Sequence, residues 1–89
     1  MEILFPMGQT VITRAAQDTL DAQDVKLALD RHSRGDWGDL DQHDWKANEV
    51  ALAEDLRLFS VYYDRSGTKF YVITGQDRAS TCVLLPEDY

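Results

Sequence analysis

The chain is poor in cysteine and has no long hydrophobic run. Its 89 residues contain one cysteine, Cys82, and two histidines. One cysteine excludes an internal disulfide, and one cysteine with two histidines is too few ligands for a structural zinc site, which takes four. No stretch approaches the roughly 18 apolar residues of a membrane-spanning helix. The opening MEILFPMG lacks the basic start and apolar core of a signal peptide, so we expect a cytoplasmic protein.

Positive charge is scarce as well, and the negative charge is concentrated. Residues 18–55 hold eleven acids and four bases, whereas the rest of the chain holds five of each, so this window carries the whole net charge of −7. Nucleic acids are bound by clustered Lys and Arg, which argues against direct nucleic-acid binding and leaves a basic protein partner open. A solvated helical face that only aids solubility explains the same charge, and the sequence leaves both alternatives open.

Hydrophobic periodicity predicts a single α+β domain over residues 1–89. Three segments carry apolar residues at helical spacing, and each follows a residue that suits an N-cap. The predicted helices, each with its cap, are 14–20 (Thr13), about 25–34 (Asp24) and 40 to about 53 (Asp39, in a capping box with Gln42).

Runs of β-branched and aromatic residues predict strands in the remainder. RLFSVYYD and KFYVIT flank the turn DRSG as a hairpin, STCVLLP is a third strand, and GQTVIT at 8–13 is a short first strand. We therefore predict a three-stranded antiparallel meander plus a short N-terminal strand, with three helices packed on one face. Because side chains alternate between the faces, an exposed Tyr62 or Tyr71 on the helix-free face would mark a dimer interface.

The stretch RHSRGDWGDLDQHD, residues 31–44, is the most distinctive. Its simplest interpretation is a joint between two helices, in which Gly35 ends the second helix and Trp37 packs over the joint. Its alternatives are an interaction site and a catalytic loop. As an interaction site it would use Trp37 as an aromatic anchor, ringed by complementary charge. The charged candidates are Asp36, Asp39, Asp41 and Asp44.

No motif for catalysis or for a cofactor is present. His32 falls on the inward stripe of the second helix, where a hydrogen-bonded, half-buried histidine is the ordinary case. The serines and Cys82 lack an elbow motif and a glycine-rich oxyanion loop. We predict no enzyme activity, no cofactor and no metal. A metal-dependent hydrolase built on His32, Asp36 and His43 is the less favoured alternative.

The turn GQDRAS, residues 75–80, offers two interpretations that concern stability. In both, Asp77 accepts hydrogen bonds from turn amides. Arg78 either forms a surface ion pair worth under ~1 kcal/mol or reaches the acidic helices and fixes their docking.

Four segments together resemble a family of small bacterial proteins carried on plasmids and integrative elements. They are FPMGQTVIT, RHSRGDWGDL, the hairpin RLFSVYYDRSGTKFYVIT, and DRASTCVLLPEDY. Members are usually labelled plasmid-related or as a subunit of type I restriction enzymes. The restriction label does not suit this chain, since it has no S-adenosylmethionine glycine motif and no target-base motif. What the resemblance implies is a mobile-element setting, which favours inhibitors or regulators of restriction or CRISPR systems.

We accordingly predict a non-enzymatic interaction protein. Its partner would be a nucleic-acid-handling protein with a basic surface, and its contact residues would be Trp37 and the four surrounding aspartates. The alternative from another class is a structural or regulatory module that homodimerises through the helix-free face of its sheet.

Overall fold

A four-stranded sheet and three helices make up the computed structural model, which describes residues 2–89. The elements are, in chain order, β1 (Gln9–Ile12), α1 (Arg14–Thr19), α2 (Ala22–Ser33), α3 (Gln42–Ala53), β2 (Leu58–Tyr63), β3 (Lys69–Thr74) and β4 (Ser80–Leu84), then a 3₁₀ turn at Pro86–Asp88. The predicted α+β class is confirmed. Within residues 2–89 no helix is long and apolar enough to cross a membrane, since the longest, α2 and α3, have 12 residues each.

The strands lie in the order β1-β4-β3-β2 across one sheet. The last three in the chain form the predicted antiparallel meander, with Leu58 opposite Thr74 in the hairpin. β1 joins the far side of the meander and runs parallel to β4, with Gln9 opposite Ser80. The two outer edges of the sheet are therefore β1 and β2.

Short polar side chains decide where α1 and α2 begin. Thr13 accepts a hydrogen bond from the Ala16 N–H at 3.2 Å, which confirms the predicted start of α1. α2 begins one turn earlier than predicted, because Asp21 is its N-cap and accepts from the Asp24 N–H at 3.2 Å. Asp24, the predicted cap, instead pairs with Arg65 at 3.0 Å.

α3 begins two residues later than predicted. Its N-cap is Asp41, whose carboxylate accepts from the Asp44 N–H at 2.8 Å. Asp39, the predicted cap, precedes the helix, and its N–H donates to the Val61 carbonyl of β2 at 2.7 Å. Pairing with the sheet uses the backbone of residue 39, so the helix starts after the next aspartate.

Two clusters of buried side chains hold the helices against the sheet. The first cluster joins α1 and α2 to the strands through Ala16, Leu20, Ala28, Tyr62, Phe70, Val72, Val83 and Leu85. The second cluster lies beneath α3 and consists of Phe5, Trp37, Ala51 and Leu58. Full burial of a large apolar side chain contributes about 1.5–3 kcal/mol, so these clusters are the main source of stability.

α2 ends in the way that glycine at its C-terminus predicts. Gly35 has a φ of +81° and donates its N–H to the His32 carbonyl at 3.1 Å. The Asp36 N–H donates to the Arg31 carbonyl at 2.9 Å, which completes a Schellman motif. Residues 34–41 are therefore a joint between two helices, as the simplest interpretation held.

The joint also pairs with the outer edge of β2. The Val61 N–H donates to the Trp37 carbonyl at 3.1 Å, and the Val61 carbonyl accepts from Asp39. Gly38 lies between them with a φ of +77°, and a Cβ at this position would overlap the Val61 carbonyl oxygen. Glycine is required here both by the backbone conformation and by the close approach.

Asn48 of α3 covers the same edge one step further along. Its side-chain amide donates to the Phe59 carbonyl at 2.6 Å, and its side-chain oxygen accepts from the Phe59 N–H at 3.2 Å. A buried asparagine thus takes the place of a neighbouring strand. Unpaired edges invite pairing with other chains, and the joint together with Asn48 removes that hazard from β2 at residues 59 and 61.

We expect Gly38→Ala to be much more destabilising than Gly67→Ala. Both glycines have a left-handed backbone, with φ of +77° and +82°, but nothing lies within 4 Å of a Cβ at Gly67. Gly67→Ala should cost about 1–2 kcal/mol of unfolding free energy from the backbone alone. Gly38→Ala should cost an additional ~1–3 kcal/mol because it forces the joint away from β2. Urea unfolding of the two variants measures the difference, and equal losses would contradict the account of the joint.

Candidate interaction surface

Trp37 lies in the core and not on the surface. Its side chain is 0% exposed and stacks on Phe5, with ring centroids 6.2 Å apart. The pairing of its carbonyl with β2 brings the side chain into the second cluster beside Leu58. The prediction that Trp37 is the aromatic anchor of an interaction site is therefore wrong, and any binding surface has to consist of other residues.

The acids on α2 and around its ends are paired with arginine. Asp36 contacts Arg31 through both oxygens, at 2.8 and 3.3 Å, and this hydrogen bonding lowers the pKa of the Asp36 carboxyl. The other pairs are Asp30 with Arg34, and Asp21 and Asp24 with Arg65. Asp36 is therefore already neutralised within the chain and offers little charge to a partner.

The acids of residues 39–55 have no such partners. Residues 39–55 contain six acids and one base, Lys46, which gives 1 − 6 = −5. Within residues 2–89, no Lys or Arg nitrogen lies within 4.0 Å of these six carboxylates. Three of them, all exposed, stand at the start of α3, and we call them the acidic surface: Asp39, Asp41 and Asp44.

An open groove of about 320 Å³ runs beside the acidic surface, between α3 and the helix-free face of the sheet. Three aromatic rings, Phe59, Tyr71 and Tyr89, contact one another there at centroid distances of 4.7, 6.0 and 5.8 Å. Tyr89 is 65% exposed. We call this the aromatic groove, and its other lining residues are Leu40, Asp44, Ala47, Asn48 and Arg57.

The two tyrosines of the predicted dimer face lie on opposite faces of the sheet. Tyr62 is 2% exposed, packs in the first cluster, and donates its hydroxyl to the Asp36 carbonyl at 2.6 Å. The prediction that Tyr62 lies on a dimer face is therefore wrong. Tyr71 does lie on the helix-free face, where the Tyr89 ring contacts it and leaves it half-buried.

His32 joins a buried row of hydroxyl groups. Its Nδ1 lies 2.6 Å from the Ser60 hydroxyl and its Nε2 lies 2.9 Å from the Thr74 hydroxyl, which is 2.7 Å from the hydroxyl of Thr81. The expected hydrogen-bonded histidine is confirmed, although it is fully buried where half-burial was predicted. Burial, with a smaller contribution from the charge of Arg78, lowers the pKa of His32 to about 3.

The residues of the hydrolase alternative do not form one site. His32 is enclosed, with both ring nitrogens hydrogen-bonded, whereas the side chain of His43 is 93% exposed. Asp41, His43 and Asp44 do bring ligand atoms within 4.8 Å of one another. All three are exposed, and exposed acidic groups cluster in this way in many proteins that bind no metal.

Arg78 fixes the end of α3 that lies away from the acidic surface. Its guanidinium donates to the carbonyls of Leu56 at 2.6 Å, Gly75 at 3.1 Å and Ala51 at 3.2 Å. It also lies over the Phe5 ring, 5.6 Å from the centroid. Arg78 therefore does reach the helices, as the second interpretation of this turn predicted, and at α3 it binds backbone carbonyls at the negative end of the helix dipole.

Comparisons of the chain with protein-family models, with curated proteins and with solved structures find no match. The resemblance to plasmid-borne proteins therefore stays a prediction. What the chain does has to be argued from its own surface.

We expect acid to destabilise the protein well above the range in which carboxylates titrate. The folded chain keeps His32 neutral, with a pKa of about 3 against an ordinary 6.5. Below about pH 6.5 only the unfolded chain takes up this proton, so stability falls by about 2 kcal/mol between about pH 7 and pH 5. Urea unfolding at a series of pH values measures this loss.

Two variants identify the histidine responsible. His32→Gln cannot be protonated, so it should be less stable at neutral pH but lose little more between about pH 7 and pH 5. His43→Gln removes the other histidine of the chain and should keep the wild-type loss. An unchanged pH dependence in His32→Gln would show that another group is responsible.

We expect Arg78→Met to lower the unfolding free energy by about 2–4 kcal/mol, since the partly exposed guanidinium donates three hydrogen bonds and each contributes a net ~0.5–1.5 kcal/mol. Methionine keeps the apolar contact with Phe5 and removes the three donors. Arg14→Met, at an exposed residue of α1, is the control and should be nearly neutral. Chemical denaturation distinguishes them, and a neutral Arg78→Met would mean that α3 is held by its apolar contacts alone.

Proposed function

We propose that this chain is a non-enzymatic protein-interaction domain, with the acidic surface and the aromatic groove as its binding site. The partner would present a basic segment that also carries an apolar side chain. The single observation that carries this proposal is that acids without a Lys or Arg contact lie next to an exposed aromatic surface. Asp44 belongs to both.

The distribution of ion pairs supports a binding role for this charge. The chain neutralises the acids of α2 with three arginines and leaves those of residues 39–55 without a Lys or Arg contact within residues 2–89. Like charges that remain together repel one another, so a basic partner relieves a cost that the free protein carries. Solubility alone would be served equally well by dispersed acids.

The aromatic groove supplies the part of a binding site that charge alone lacks. Charge complementarity speeds association and selects partners, whereas affinity comes mainly from a few buried anchors. Phe59, Tyr71 and Tyr89 provide an apolar floor on which an aliphatic or aromatic side chain would lose contact with water. In the proposed complex, this floor takes over the role that was predicted for Trp37.

The class of the partner is inferred from the negative charge of the binding site and from the resemblance to plasmid-borne proteins. Proteins that handle nucleic acids carry the basic surfaces that phosphates require, and an acidic protein competes for such surfaces. The mobile-element setting favours a host restriction or CRISPR protein, met in the bacterial cytoplasm. We therefore propose that the domain inhibits or regulates a system of this kind.

We expect neutralisation of the acidic surface to abolish partner capture. Purified chain would be immobilised, exposed to nuclease-treated bacterial lysate, and eluted at rising salt for mass spectrometry. The test variant combines Asp39→Asn, Asp41→Asn and Asp44→Asn, and asparagine at residue 41 still caps α3. Its control makes the same change in charge elsewhere, through Glu2→Gln, Asp18→Asn and Glu87→Gln, all at exposed residues.

The proposal requires a salt-released protein with a basic surface that the wild type and the control capture and the test variant does not. Tyr89→Ser should weaken the same capture without changing the charge, since it removes the most exposed part of the groove floor. Equal capture by all variants would place the binding site elsewhere on the chain.

A further inference from the structure

We infer that a second copy of the chain pairs with the free edge of β1, which gives a dimer with one continuous eight-stranded sheet. This inference is independent of the proposed function, because it concerns the opposite edge of the sheet. It starts from a difference between the two edges. β2 is covered at Val61 by the joint and at Phe59 by Asn48, whereas nothing in residues 2–89 pairs with the outer edge of β1.

The register with β4 shows which backbone groups of β1 are free. The N–H groups of Gln9 and Thr13 donate to carbonyls of the Ala79–Val83 segment at 3.0 Å, so residues 9, 11 and 13 turn their backbone toward β4. Residues alternate along a strand, and therefore Thr10 and Ile12 direct their N–H and C=O groups outward. Four main-chain groups are thus available for pairing.

The side chains of β1 do not protect this edge. Natural edge strands are guarded by very short length, charged residues, proline or a bulge, and of these β1 has only its length of four residues. The sequence of β1 is QTVI, without charge or proline, and its Val11 and Ile12 are 41% and 36% exposed. The edge therefore carries no side chain that would oppose pairing with another strand.

The spacing of the free groups fits a second copy of the same strand. In an antiparallel arrangement centred on Val11, Thr10 of each copy stands opposite Ile12 of the other. Each of these two residue pairs exchanges two hydrogen bonds, so all four free groups of each strand are used. Val11 then faces Val11 of the other copy as the close, non-hydrogen-bonded pair, which suits β-branched side chains.

The distribution of charge allows a second copy to approach β1 without strong repulsion. A protein of net charge −7 resists self-association where its acids meet. The acidic surface lies beside β2, where the Asp39 N–H pairs with the Val61 carbonyl, so it is at the other edge of the sheet, and β1 itself is neutral. Pairing through β1 therefore keeps the two acidic surfaces at opposite ends, where a dimer would present both to partners.

The test is the oligomeric state of the purified full chain, measured by sedimentation equilibrium over a wide range of concentration. We expect a reversible monomer–dimer equilibrium that is weak, because a four-residue edge buries less than the ~1,200 Å² of an ordinary stable interface. Thr10→Pro removes an outward N–H that the chain does not use internally. It deletes two of the four intermolecular hydrogen bonds and should weaken dimerisation about 30-fold.

A second edge variant and a control keep the test decisive if Thr10→Pro does not fold. Val11→Lys leaves the backbone of β1 unchanged and places two like charges face to face, so it should abolish the dimer. Leu27→Lys makes the same substitution at an exposed residue of α2 and should dimerise as the wild type does. A wild type that is monomeric at every concentration, or a dimer that survives Val11→Lys in a folded protein, would overturn the inference. Neither result bears on the acidic surface, whose partner is measured separately.

Discussion

The pairing of the α2–α3 joint with Val61 is the contact on which the rest of the molecule depends. It requires a glycine at residue 38, because a side chain there would overlap the Val61 carbonyl. It brings Trp37 into the core and leaves Asp39 outside. It also sets the residue at which α3 starts and therefore the positions of the acids that α3 carries. The same few hydrogen bonds close one edge of the sheet and build the surface that we propose as the binding site.

Three polar side chains, Asn48, Arg78 and His32, attach the helices to the rest of the fold in addition to this contact. Asn48 holds α3 to β2 with two hydrogen bonds, and Arg78 holds the C-terminal end of the helix through the carbonyls of Ala51 and Leu56. His32 connects α2 to β2 and β3 through hydroxyl groups. Satisfied polar contacts of this kind specify one packing out of several that the apolar residues alone would allow.

The sequence predicted the helices and strands well because interactions between residues close in sequence form them. The hairpin follows from two β-branched runs around a glycine turn, and the end of α2 follows from Gly35. The helix starts were less predictable, since Asp21 and Asp24 suit an N-cap equally. The choice between them depends on Asp64 and Arg65, distant in sequence, which bind the Asp21 N–H and the Asp24 carboxylate.

The candidate site was less predictable than the fold because its residues meet only through tertiary structure. Trp37 is buried because Gly38 approaches β2 closely, and no local sequence pattern predicts that contact. The aromatic groove joins Phe59, Tyr71 and Tyr89 across a strand pair and a chain end. The concentration of acids in residues 18–55 was visible in the sequence. The pairing of Asp21 and Asp24 was not, because their partner Arg65 lies in the hairpin turn, far along the chain.

Hydrogen exchange of the chain, free and bound to the partner it captures, shows whether the acidic surface and the aromatic groove form the binding site. We expect slower exchange in the partner complex at residues 39–49 and around Tyr71, with β1 unchanged by the partner. Protection confined to β1 or to α2, with α3 exchanging as in the free protein, would contradict it.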